Sequence, residues 1–283
     1  MNTLKTMVLM LLLTVLLVSM GSLVGGVQGA TVALVVAVAL HGFAYFYSDR
    51  LVLKMHGAQP VSENEAPDLY DVLRVLAARA GMPMPKVYLM TSPQPNAFAT
   101  GRNPSHAAIA VTTSLLNLLR RDELIAVLAH ELSHIRHRDI LVGTIAAVFA
   151  GAVTYLAQMG QWSMVWGRER GGAATLVPAL AMMVLAPIAA LLIQMAISRS
   201  REYLADDGGA ELSEDPAALA AALRKLDLAA RSVPVPVNPA TAHLFIVNPL
   251  RGRQMASLFS THPPIEDRIA RLEAHAPSLR RAA

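Results

Sequence analysis

His130-Glu131-Leu132-Ser133-His134 is an H-E-x-x-H pentapeptide. On an α-helix its two histidines stand one turn apart on one face, where both imidazoles can grip a single Zn²⁺, and the glutamate beside them can serve as a base. The surrounding Leu124, Ile125, Val127, Leu128, Leu132 and Ile135 recur at steps of three and four, so a helix is predicted independently of the motif. Asp122 and Glu123 suit its start, being acids at the positive end of a helix dipole. The pattern points to a zinc metallopeptidase. Chance spacing of the same three residues is the alternative, and the rest of the site weighs against it.

A catalytic zinc takes three protein ligands and keeps a fourth position open, so the pentapeptide lacks one ligand. The chain has no cysteine, which excludes disulfides and thiolate ligands and leaves nitrogen and oxygen donors. His137 shares the helical face of His130 and His134, but seven residues along a helix is about 10 Å. Both ligands must sit about 2 Å from one ion, so His137 fits a capping or juxtamembrane role instead. Glu202 is the stronger candidate. It opens a Glu-x-x-x-Asp pair that places Glu202 and Asp206 one turn apart on one helix face. The first would bind metal while the second accepts a ligand imidazole's N–H, which fixes the tautomer and raises basicity. Taken alone, this segment reads as a solvated charge patch at a helix end, with Arg199 and Arg201 part of it. Joined to H-E-x-x-H and to a preceding apolar span, the metal-binding reading prevails.

The 283-residue chain is 54% hydrophobic with a positive mean hydropathy, more apolar than a soluble domain usually is. Residues 6–48 contain no Asp, Glu, Lys or Arg, a stretch about twice what one bilayer crossing needs. Two spans, 7–24 and 30–47, joined at Gly25-Gly26-Val27-Gln28-Gly29, fit it. Residues 140–159 and 173–196 are two further uncharged stretches of spanning length. A signal peptide shares the look of Lys5 before an apolar run; the length of that run and the second span close behind it favour retention. Lys5, Arg50, Lys54, Arg136, Arg138, Arg199 and Arg201 all fall on one side of the spans, against Arg168 and Arg170 on the other. By the positive-inside rule both termini and the pentapeptide face the cytoplasm. The net charge of +4 is spread over loops without a basic run interleaved with aromatics, which argues against nucleic-acid binding.

Four units follow in order: a transmembrane hairpin over 1–48, a cytoplasmic part over 49–139, a second transmembrane hairpin over 140–196 and a cytoplasmic part over 197–283. Within the second unit, residues 67–80 read as an amphipathic helix with Pro67 in its first turn and Gly81 as its stop. Residues 85–90 and 107–112 read as short strands, with 96–101 between them. Residues 216–230 and 265–274 read as helices, and 232–264 as a loop region.

The chain resembles the HtpX family of membrane zinc metallopeptidases and, more distantly, the CAAX prenyl proteases and mitochondrial-type membrane proteases of the same superfamily. The resemblance rests on His130-Glu131-Leu132-Ser133-His134, on Ser198-Arg199 through Glu202-Tyr203 to Ala205-Asp206, and on Pro95-Asn96-Ala97-Phe98-Ala99-Thr100-Gly101. Thr261-His262-Pro263-Pro264 and the four-span layout complete it. It implies an α-helical integral membrane protein of the bacterial inner membrane, with a cytoplasmic, mostly-α gluzincin-type protease domain containing a small β-sheet. It also implies a role in quality control of damaged membrane proteins under stress, and it places His262 and Asn96 near the cleft as oxyanion donors.

On this reading one Zn²⁺ per chain is held by His130, His134 and Glu202, Glu131 is the base, and Asp206 supports a ligand. Polypeptide substrates, membrane proteins among them, would bind extended by adding a strand to a sheet edge. Residues 107–112 suit such an edge, or equally a plain core strand. Two other readings compete. A site-2-type intramembrane protease would carry the motif inside an apolar span, whereas Arg120 to Glu123 and Arg136 to Asp139 flank it here. A non-catalytic membrane scaffold with a structural zinc would have no use for Glu131.

Overall fold

The structure, a computed structural model, describes residues 2–141, 143–145, 199–232, 244–247 and 263–279. It is mostly helical, with one small sheet. The first helix, α1 (Asn2–Met55), is broken at Gly25 and Gly26, whose φ/ψ of −134°/18° and 60°/−143° are not helical. Gly26 takes a left-handed φ that only a residue without Cβ adopts freely. The chain reverses there and its halves pack together. Thr14 Oγ1 lies 2.8 Å from His41 Nε2, and a Cβ on Gly29 would stand 2.1 Å from the Gly21 carbonyl oxygen. The second half, Gly25–Met55, is strongly apolar and mostly exposed. Among the described residues it is the one helix long and apolar enough to cross a membrane. The expected crossing at 30–47 falls within it and that at 7–24 forms the preceding half. Those at 140–159 and 173–196 lie outside the described residues, apart from 140, 141 and 143–145.

Four strands make the sheet: β1 (Gln59–Pro60), β2 (Lys86–Met90), β3 (Ala97–Gly101) and β4 (Ala107–Thr112), in the order β1-β2-β4-β3. β2 runs parallel to β4, while β1 and β3 are antiparallel to their neighbours. Two features differ from the sequence reading. The residues connecting the expected strands are themselves a strand, β3. And β4, which suited a substrate-binding edge or equally a core strand, is interior, bonded to β2 on one side and β3 on the other, so no substrate strand can add to it. Its six residues are all buried, which is how a strand apolar on both faces is accommodated. The edge beside the pentapeptide is β3.

Helix α2 (Pro67–Arg79) buries Leu69, Val72, Leu73, Leu76 and Ala77, with Pro67 in its first turn, and Gly81 follows at φ 64°. Thr112 caps α3 (Thr113–Leu118), its Oγ1 accepting from the Leu115 N–H. α4 (Arg121–Arg136) carries the pentapeptide. Further along the chain come α5 (Arg199–Ser213), α6 (Pro216–Ser232) and α7 (Ile265–Leu279). One core joins α2, the sheet, α4, α6 and α7. A smaller cluster seats the end of α1, through Val52 and Leu53, on Phe98, Ala108 and Ala110 of the sheet.

Candidate metal centre

The pentapeptide helix is anchored at its start. Glu123, fully buried, accepts from the Arg120 backbone N–H at 2.8 Å and from Lys225 Nζ at 2.7 Å. Beyond it Ala126, Val127, Leu128, Ala129, Leu132 and Ile135 are buried nearly all round the helix. The core thus grips α4 on several sides and fixes its rotation. His137 is the C-cap, and its Nδ1 lies 3.2 Å from Ser133 Oγ.

α5 comes unusually close. A Cβ on Gly209 would stand 2.9 Å from both N and Cα of His130, and one on Gly208 2.3 Å from Ser133 Oγ. This approach brings Glu202 to the histidines: His134 Nε2 lies 3.6 Å from Glu202 Oε1 and His130 Nε2 4.0 Å from Oε2. One ligand atom from each of His130, His134 and Glu202 lies within 4.8 Å of the others.

Each imidazole turns its other nitrogen to a carboxylate. His130 Nδ1 is 3.0 Å from Asp206 Oδ1, and His134 Nδ1 is 3.3 Å from Asp139 Oδ2. Asp206 is gripped by the fully buried Arg268, whose Nε and Nη2 donate at 2.8 and 2.6 Å to its two oxygens. Burial pushes the Asp206 carboxyl up, but the Arg268 guanidinium outweighs this and holds it below the usual range. Burial likewise disfavours protonation of His134, yet Asp139, Glu202 and Glu131 prevail and raise its pKa to about 9. Such surplus negative charge around imidazole nitrogens suits a dication. With the ligand Nε2 atoms turned inward, oxygen and nitrogen donors only, and a carboxylate behind each ring, the residues fit zinc.

Glu131 lies beside this cluster without belonging to it. Its Oε2 accepts from the Ala99 backbone N–H at 2.9 Å, and burial raises its pKa. Phe98, Ala99, Ile140, Leu244, Phe245 and Ile246 give the cleft over these groups apolar walls.

Asn96 is placed differently from the expectation of an oxyanion donor. Its Oδ1 accepts from the Ile246 N–H at 3.1 Å and its Nδ2 donates to the Leu244 carbonyl at 3.4 Å. The amide is therefore committed to holding 244–247 against the sheet, and Asn96 itself does not line the cleft. His262 lies outside the described residues. Two residues at the site were not foreseen, Asp139 and Arg268. Arg268 left a signal: it stands with Ile265, Ile269 and Leu272 on the inward face of its helix, where an apolar residue is expected. Asp139 left none, because it lies past the helix end.

A family model, Peptidase family M48, matches residues 63–276, a stretch that takes in every described element of the site. The chain belongs to peptidase family M48. This M48 peptidase is 56% identical over 279 residues to a protease HtpX homolog of Thermodesulfovibrio yellowstonii, covering 98% of this chain and 99% of that one. It is 53% identical over 280 residues to another from Pelotomaculum thermopropionicum, covering 98% and 100%. The crystal structure of S. mikatae Ste24p is similar over 96% of this chain and 65% of that one, with a TM-score of 0.49 and 18% identity. The M48 peptidase is thus a zinc-using metallopeptidase, as its donor set is.

Proposed function

We propose that this M48 peptidase is a membrane-embedded zinc endopeptidase that hydrolyses misfolded or damaged membrane proteins at the cytoplasmic face of a bacterial inner membrane. The observation that carries the reading is the meeting of His130, His134 and Glu202 from two helices, with Glu131 beside them at a sheet edge. Two transmembrane hairpins, 1–48 and 140–196, flank cytoplasmic parts 49–139 and 197–283. The basic residues on one side of the spans support this orientation. Charges at both ends of α4 and its packing against β3, α5 and α6 favour cleavage outside the bilayer over a site-2-type arrangement.

His130, His134 and Glu202 would hold the zinc and Asp206 would orient His130. A zinc held there would supply a Lewis acid for the scissile carbonyl and for the attacking water. Glu131 accepts the water's proton and returns it to the leaving amine; its burial-raised pKa suits a proton acceptor that must also give the proton back. The Ala99 N–H fixes one carboxylate oxygen and so aims the other. His262 is the donor proposed for the developing oxyanion, while Asn96 supports the cleft wall.

Substrate is proposed to add to β3. In the antiparallel β3–β4 pair the Thr112 N–H donates to the Asn96 carbonyl. Alternation along the ladder therefore turns the backbone polar groups of Phe98 and Thr100 toward β4 and those of Ala97, Ala99 and Gly101 outward. The Ala99 N–H meets Glu131 on that outward side. An extended chain bonded by its backbone to the outward groups other than the Ala99 N–H, which Glu131 occupies, is selected loosely by sequence, which suits clearance of unfolded segments.

The test is casein cleavage by the purified protein in detergent. Glu131→Gln is expected to keep stoichiometric zinc and lose hydrolysis, and a chelator is expected to abolish wild-type cleavage. Activity of Glu131→Gln within a few-fold of wild type, or cleavage insensitive to chelator, would overturn the reading.

A further inference from the structure

Asp139 follows the end of α4, where Arg138 takes a left-handed φ of 58° and the Asp139 N–H donates to the His134 carbonyl at 2.9 Å. This turn folds the carboxylate back over the ring of the residue whose carbonyl anchors it, giving the 3.3 Å contact to His134 Nδ1. The other carboxylate oxygen, Oδ1, lies 3.9 Å from Nη1 of Arg201, and both side chains are only 7% exposed. Arg201 immediately precedes Glu202 on α5 and lines the cleft. The same order of groups stands on the other ligand, hydrogen-bonded at 2.6 and 2.8 Å there and in ion-pair range only here. There His130 backs onto Asp206 and Asp206 onto the buried Arg268.

We propose that Asp139 and Arg201 are positioning residues for the metal ligand His134, forming a second His–Asp–Arg brace opposite His130–Asp206–Arg268. Desolvating a carboxylate and a guanidinium is costly unless each answers the other. Here the pair spans the exit turn of α4 and the first turn of α5, so it ties together the helices that supply all three ligands. Asp139 draws the proton of His134 to Nδ1, leaving Nε2 as the nitrogen that faces Glu202. Arg201 acts through Asp139, by holding its carboxylate in register. The inference rests on the metal-site assignment above.

Zinc affinity of the full chain in detergent, measured by competition with a chromogenic chelator, tests it beside thermal unfolding of the zinc-stripped protein. Asp139→Asn keeps the shape and removes the charge; it is expected to weaken zinc binding about 10- to 100-fold. Arg201→Gln is expected to weaken it less, Arg201→Lys to stay within a few-fold of wild type, and the double variant to do no more than Asp139→Asn alone, since the arginine works through the aspartate. The stripped Asp139→Asn and Arg201→Gln variants are expected to unfold at a lower temperature, since each takes one charge from a buried pair, and the double variant to regain part of that stability while binding zinc as weakly as Asp139→Asn. Unchanged affinity in Asp139→Asn, multiplicative losses in the double variant, or an affinity in the double variant that returns together with its stability would each overturn the brace. Glu202→Ala separates the two failures: if it loses zinc while Asp139→Asn does not, the site assignment stands and only the brace falls.

Discussion

At Asp206 a single buried carboxylate answers both an imidazole, at 3.0 Å, and a guanidinium, at 2.6 and 2.8 Å. Removing it withdraws the group that orients His130 and leaves Arg268 buried without its carboxylate. Asp206→Ala is therefore expected to weaken zinc affinity about 10- to 100-fold and to cost about 3–5 kcal/mol of stability, as loss of one member of a buried ion pair does. Chelator competition and thermal unfolding of the zinc-stripped protein check the two effects separately. The grouping of His130 with His134 and of Glu202 with Asp206 was legible in the sequence because one helical turn separates each pair, and a turn is a local quantity; Glu131 was read from its place inside the pentapeptide. Arg268 and Asp139 were not read, since one reaches the site from a distant helix and the other through a left-handed turn. Asn96 was read as a donor because nothing local reveals that its amide is occupied by residues 244–247.

Between elements, the site depends on how closely α5 lies on α4. Gly208 and Gly209 interrupt an otherwise side-chain-rich helix at a cost of about 1 kcal/mol each relative to alanine, and the close approach they permit carries Glu202 to the histidines. Gly209→Ala puts a methyl 2.9 Å from the backbone of His130, so α5 has to retreat. A destabilisation of about 1–3 kcal/mol is expected from the overpacking; the separation of Glu202 from the histidines should weaken zinc binding with it. Thermal unfolding and zinc titration of the variant check this, and wild-type behaviour in both would mean that the helices have slack. Strands were less legible than helices. β4 shows an apolar run that periodicity finds without saying whether its sides are paired, and β3, Ala97-Phe98-Ala99-Thr100-Gly101, has mostly small residues with little strand preference of their own. Its strand character comes from pairing with β4 and from the cover of residues 244–247, neither of which is encoded locally.

Across the whole molecule, α1 joins the apolar hairpin to the catalytic part. Its end packs on the sheet, and the ring of His56, just beyond it, lies 5.1 Å from Phe98 of the edge strand. The hairpin reversal was legible because a glycine run breaks a charge-free stretch too long for one crossing. A reporter fused after Ala283 is expected to be active when retained in the cytoplasm, and activity only on export would contradict the proposed orientation. The central claim is also a long-range one: a metal centre assembled from α4 and α5, which lie on either side of residues 140–196. Metal analysis of purified Glu202→Ala beside wild type tests it most directly. Wild type is expected to carry one zinc per chain and Glu202→Ala essentially none, because two imidazoles alone hold a catalytic zinc poorly; full occupancy in Glu202→Ala would mean that another residue closes the site and that α5 does not complete it.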